Sequence, residues 1–165
     1  MMRPNILLLA ALLATSVSQS QDANPNALDF WIGEWEVSWT DQEGKTHQAS
    51  NSVKRILNGK VILEEFDASD TLGFTGKSHS VLDGLTGKWK QTWVDSNGSY
   101  MDFVGTQEGN TFTFSRSYIN KEGENVETRM IFREIKSDSL IWDWQGRKDP
   151  TGEWNLLWQL HYKRK

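Results

Sequence analysis

The feature that most constrains this chain is its punctuation. Five tetrapeptides, "QEGK", "LNGK", "SNGS", "QEGN" and "KEGE", each set a glycine between two extended runs. Tight antiparallel hairpins favour such residues because their turns take positive φ. No segment between these turns keeps a helical apolar period over three turns, whereas period-two alternation recurs along the chain. The spacing predicts strands at about 34–41, 46–57, 60–68, 75–83, 88–95, 99–106, 110–119, 125–136, 139–147 and 154–163, with sequence neighbours paired in the sheet.

A meander of that length either leaves two edges, each a row of unpaired N–H and C=O groups, or closes on itself. The expected fold class is therefore all-β, a closed or nearly closed antiparallel up-and-down barrel of about ten strands. A tryptophan-rich β-sandwich is the alternative, and the lack of any long crossover connection speaks against it.

Alternation then assigns the faces. Trp35, Val37 and Trp39 alternate with Glu34, Glu36 and Ser38, and Trp89, Gln91 and Trp93 with Lys88, Lys90 and Thr92. Phe112, Phe114, Arg116 and Tyr118 share one parity, Trp142 and Trp144 flank Asp143, and the last strand carries Trp154, Leu156, Trp158, Leu160 and Tyr162. These stripes are read as the inside. A ten-stranded barrel is wider than the eight-stranded kind that just holds one small ligand, so its lumen needs bulky side chains or a guest.

The "GEW" of Gly33–Trp35 resembles the G-x-W signature that opens the first strand in the calycin superfamily of lipocalins and fatty-acid-binding proteins. The wider run "FWIGEWEV", "KRILNGKVILEEF", "GFTGKSHSVLDGLTGKWKQTWVDSNG" and "WDWQGRKDPTGEW" resembles the bacterial calycin-like proteins grouped as domain of unknown function 1579, over about residues 28–165. The resemblance implies a lipocalin-like barrel, commonly an export signal, and no agreed activity. It also implies a closed barrel end in which Trp35, beside Gly33, stacks under an Arg of the final strand, for which Arg164 in "HYKRK" is the match.

Arg3 precedes the apolar run "ILLLAALLA", and Ser18 and Ser20 fit a cleavage site before Gln21. Residues 1–20 are accordingly read as a signal peptide and 21–165 as one barrel domain, periplasmic or extracellular. The apolar run is short for a membrane span, so stable membrane insertion after cleavage is not expected; an N-terminal anchor is the alternative. With no cysteine there is no lipoprotein thiol and no disulfide scaffold. Loss of Arg3 takes the formal net charge from −4 to −5. That balance argues against nucleic acid as a partner.

Polar groups on the aromatic stripes are the candidate site. Gln91 lies between Trp89 and Trp93, and Arg116 between Phe114 and Tyr118. As ligand contacts, Arg116 would hold an anionic head while Trp89, Trp93, Trp142, Trp144, Trp158 and Tyr118 cover an apolar body. The alternative is structural, with Arg116 paired to an internal acid such as Glu65 and Gln91 tying strands together. Glu64 and Glu65 point to opposite faces and cannot form a catalytic dyad. His161 opposes the Trp158 stripe, and His79 could face inward. No metal site is expected, since no two of His47, His79 and His161 lie at ligand spacing and there is no thiolate. No cofactor is called for.

The functional expectation is an exported barrel binding a small hydrophobic or amphipathic molecule, mostly apolar and with an anionic head as one form. Two alternatives stand beside it. One is an isomerase- or lyase-type enzyme using an inward Arg and carboxylate. The other is a haem-binding barrel or an interaction module with a filled lumen.

Overall fold

A computed structural model describes residues 24–165; the leader read in residues 1–20 lies outside the described residues. The strands are β1 (Gly33–Thr40), β2 (Thr46–Ile56), β3 (Val61–Ala68), β4 (Phe74–Leu82), β5 (Trp89–Asp95), β6 (Tyr100–Glu108), β7 (Thr111–Ile119), β8 (Asn125–Arg133), β9 (Ser139–Arg147) and β10 (Asn155–Arg164). Each pairs antiparallel with its chain neighbours, and β1 pairs with β10, so the sheet is a closed up-and-down barrel. A short helix α1 (Ser69–Leu72) links β3 to β4, and a 3₁₀ turn, Asp29–Trp31, precedes β1.

Side chains of the predicted parity fill the lower lumen. Trp35, Val37, Phe112, Phe114 and Phe132 are fully or almost fully buried, and the 3₁₀ turn presses Leu28 and Trp31 into the same end as a plug. Trp31 meets Phe132 edge-on at 5.0 Å, and Trp35 donates its Nε1 hydrogen to the Trp31 carbonyl at 2.8 Å. The plug has no counterpart in the strand pattern, because one turn is too short to show a period.

Arg164 locks this end. Its guanidinium lies 4.1 Å from the Trp35 ring centroid and donates to the carbonyls of Ile32 (2.7 Å), Phe30 (3.1 Å) and Ser137 (2.9 Å). Gly33 makes this approach possible. Its φ of +141° disfavours any side chain, and a Cβ there would stand 2.1 Å from Arg164 Nη1.

One strand phase and one strand boundary differ from the sequence reading. A bulge in β10 between Leu156 and Trp158 inserts one residue, so Leu156 pairs with the outward Gln145 while Trp158 pairs with the inward Trp144. Trp154 and Leu156 therefore leave the inner stripe, and Trp154 sits between the guanidiniums of Arg129 (4.0 Å) and Arg147 (4.4 Å). The eighth strand stops at Arg133 rather than 136, because Glu134 takes a left-handed conformation with φ +50°. Among the inward tryptophans, Trp35, Trp39 and Trp89 are buried, while Trp93, Trp142, Trp144 and Trp158 are only partly buried because a cavity lies beside them.

Because one contact joins Gly33, Trp35 and Arg164, Gly33→Ala is expected to destabilise the protein by about 2 kcal/mol or more through strain and lost carbonyl partners. Arg164→Ala should do the same, and urea unfolding of the double variant should give much less than the sum of the two losses. Additive losses would show that Gly33 and Arg164 act separately.

Candidate functional site

The upper lumen holds a cavity of about 280 Å³, reaching from Trp31 and Phe132 at the plug to Phe74, Asp95 and Met101 beside the opposite end. One wall is indole. Trp142 and Trp144 are parallel at 6.3 Å, and Trp158 meets Trp142 edge-on at 6.1 Å. Trp158 also meets Trp39 edge-on at 5.3 Å, so the wall is buttressed from behind.

The facing side is polar, and β4 makes room for it. Between the inward Phe74 and Leu82 it carries Gly76, Ser78 and Ser80, small enough for longer side chains of β3 and β5 to lie across them. Trp93 lies over Gly76, where a Cβ would be 2.0 Å from its ring. Glu64 sits opposite Ser78, and Gln91 opposite Ser80.

These groups form one buried network. Asn51 Nδ2 donates to Glu64 Oε1 at 2.8 Å and to the Tyr162 hydroxyl at 3.1 Å. Ser78 Oγ donates to Glu64 Oε2 at 2.7 Å, and Gln91 Nε2 donates to Ser80 Oγ at 3.0 Å and Ser78 Oγ at 3.3 Å. Asn51 Oδ1 and Gln91 Oε1 are buried without a donor. Burial pushes the Glu64 carboxyl up to about 7, against the lowering effect of the Ser78 and Asn51 bonds. Burial likewise holds the Tyr162 hydroxyl well above its ordinary range, with the Glu64 charge acting in the same direction.

Of the residues read as ligand contacts, Gln91, Trp93, Trp142, Trp144 and Trp158 line this cavity, whereas Trp89, Arg116 and Tyr118 do not. Trp89 packs edge-on against Phe112 at 6.4 Å in the filled end and donates Nε1 to the Asn24 carbonyl at 3.1 Å. Arg116 lies beyond the last β6–β7 rung, Val104↔Ser115, where β7 continues paired to β8 alone. Its guanidinium stacks over Tyr118 at 4.5 Å and stands 5.7 Å from the Phe103 ring, and its Nε is buried without a partner.

Glu65 is not the internal acid. It faces outward between Lys54 and Lys77, each at 2.7 Å, and those bonds lower its carboxyl to about 2. The inward acid is Glu64, a residue the sequence offered through its parity with Ile62 and Phe66. Val61 and Leu63 made the other face look equally apolar. His79 is exposed rather than inward, as is His161, and His47 stacks on Trp39 at 5.4 Å with its Nε2 2.7 Å from Asp41.

No family model matches this chain, and no curated protein matches it. Among solved structures it is similar to a redesigned β-barrel, at 10% identity over 87% of this chain and 98% of that one, with a TM-score of 0.36. A likeness that slight says nothing about what the cavity does.

Glu64 makes stability pH-dependent in a defined direction. Its folded pKa is raised from 4.5 to about 7, so the folded state binds the proton more tightly and stability falls as pH rises between those values. The loss is on the order of 3 kcal/mol and is complete above the folded pKa. Glu64→Gln keeps the shape and removes the titration. In urea unfolding at about pH 4.5 and about pH 8, wild type is expected to lose stability relative to the variant at the higher pH. An unchanged difference would show that Glu64 is already ionised in the folded protein at low pH.

Proposed function

We propose that this protein is an exported, calycin-like barrel that holds one small, mostly apolar molecule among its upper indoles. The observation that carries the reading is the cavity, about 280 Å³ lined mainly by aromatic rings with a few convergent polar groups. Ligand pockets are typically about 300–1,000 Å³ and built in this way, which places this one at the small end. Its volume is about nine waters at liquid density, so the guest is a one- or two-ring compound rather than a long acyl chain. Export is supported by Arg3 and the "ILLLAALLA" run, and calycin kinship by Gly33, Trp35 and Arg164 acting at one barrel end.

A second reading, an isomerase- or lyase-type enzyme, is favoured by one observation, a carboxyl near neutrality inside a pocket. It rests on Glu64 rather than Arg116. Consumption of a bound compound that stops in Glu64→Gln would support it, whereas binding without turnover supports the carrier.

Native mass spectrometry of protein purified from its own host is expected to show one retained low-mass compound. In thermal melts a neutral bicyclic aromatic such as indole, at about 100 times its Kd, should add about 2.7 kcal/mol. Met101→Trp, which adds bulk beside the open end of the cavity, should remove that shift. A protein that retains nothing and is shifted by no one- or two-ring compound would overturn the binding reading.

A further inference from the structure

We propose that the cavity selects a flat aromatic cation bearing N–H donors, of the aryl amidine class, with its head on Glu64 and Gln91 and its ring against the indoles. This rests on the binding reading above and names the ligand class for the same site. It also reverses the sign of the head group that Arg116 suggested.

Three observations point the same way. The charged residues lining the cavity are Glu64 and Asp95, both acids, and no Lys, Arg or His lines it among the described residues. The polar side also has acceptors to spare. With Glu64 ionised, as it is when a cation is bound, Ser78 gives its hydrogen to Glu64 and accepts from Gln91, which leaves Gln91 Oε1 free. Asn51 does not line the cavity; it spends both N–H groups on Glu64 and Tyr162 and so anchors the carboxyl. A carboxylate or phosphate head would face the Glu64 carboxylate and the bare Gln91 carbonyl oxygen, whereas an amidinium offers N–H donors to both.

The third observation is the wall. Indole faces carry negative quadrupole density, and the parallel Trp142 and Trp144 with Trp93 and Trp158 line the remaining space. A cation desolvated there gains both the carboxylate and the rings. Trp31 Nε1 is a buried donor without an acceptor on the plug side, suited to a ring nitrogen or carbonyl at the ligand's far edge.

The acid that receives the cation is largely protonated below neutrality, so binding displaces a proton. The groups facing Glu64 are Asn51 and Val53 of β2, Ser78 of β4, Gln91 of β5 and Tyr162 of β10. Of these only Tyr162 titrates, and burial keeps it protonated far above neutrality. Asp95 lies at the opposite end of the cavity, held by Trp93 Nε1 at 3.1 Å, and His47 is paired with Asp41 behind Trp39.

Three near-isosteric probes separate the possibilities: benzamidine as cation, benzamide as neutral form and benzoate as anion, with indole as an uncharged reference. Titration calorimetry of the wild type is expected to rank benzamidine ahead of benzamide by about tenfold and benzoate last. Benzamidine affinity should rise about tenfold per pH unit up to about 7 and then level off, with proton release visible as a buffer-dependent heat. Glu64→Gln should flatten that profile, and Gln91→Met should lower benzamidine affinity by a larger factor than indole affinity. Benzoate binding best, or a pH-independent benzamidine affinity in wild type, overturns the proposal. Indole binding without benzamidine binding also overturns it and leaves the cavity reading standing. Failure of all four probes overturns both.

Discussion

Everything in this structure depends on the ladder between β1 and β10. It has four rungs, Trp35↔Arg164 to Ser38↔His161, against eight between β1 and β2, yet without it the sheet would present two long edges. The Trp35↔Arg164 rung carries the residue that also ties the carbonyls of Phe30 and Ile32 and the β8–β9 turn at Ser137. Closure of the sheet, seating of the plug and burial of Trp35 are therefore one cooperative unit. Because that end is sealed and packed, the remaining space lies toward the other.

The ten strands were legible because two independent signals agree, the glycine turns and the period-two alternation. Boundaries moved where non-glycine residues take left-handed backbone, as Leu57, Asn58 and Glu134 do, since nothing in those side chains announces it. The bulge in β10 escaped notice for a simpler reason. In "WNLLW" Leu156 and Leu157 put an apolar residue on either phase, so one inserted residue shifts Trp154 and Leu156 outward without an obvious break in the pattern.

The site was legible in part, and the division is physical. Parity along a strand says which face a residue takes, and Gln91, Trp93, Trp142, Trp144 and Trp158, all of the inward parity, line the cavity. Parity says nothing about height along the barrel. Trp89 falls in the packed end and Arg116 and Tyr118 fall past the last β6–β7 rung, so none of the three lines the cavity. Glu64 was hidden because "VIL" before it is apolar on both faces, and only the lysines across from Glu65 reveal which carboxylate faces water.

Two buried acids in this barrel show what a structural carboxylate looks like and what Glu64 is not. Asp143 is buried on the outer surface of β9, and Arg133 at 2.7 Å and Gln159 at 2.9 Å hold it, so its charge is answered within the sheet. Glu64 is just as buried, yet it has only neutral donors, Asn51 and Ser78, and beside it two amide oxygens have none. A buried acid without a cation is a burden that a leucine or methionine of similar volume would remove, often with a gain in stability. Packing thus explains Asp143 and leaves Glu64 unexplained. The proposed cation would supply what Asp143 already has, a positive donor whose arrival offsets the cost of burying the carboxylate.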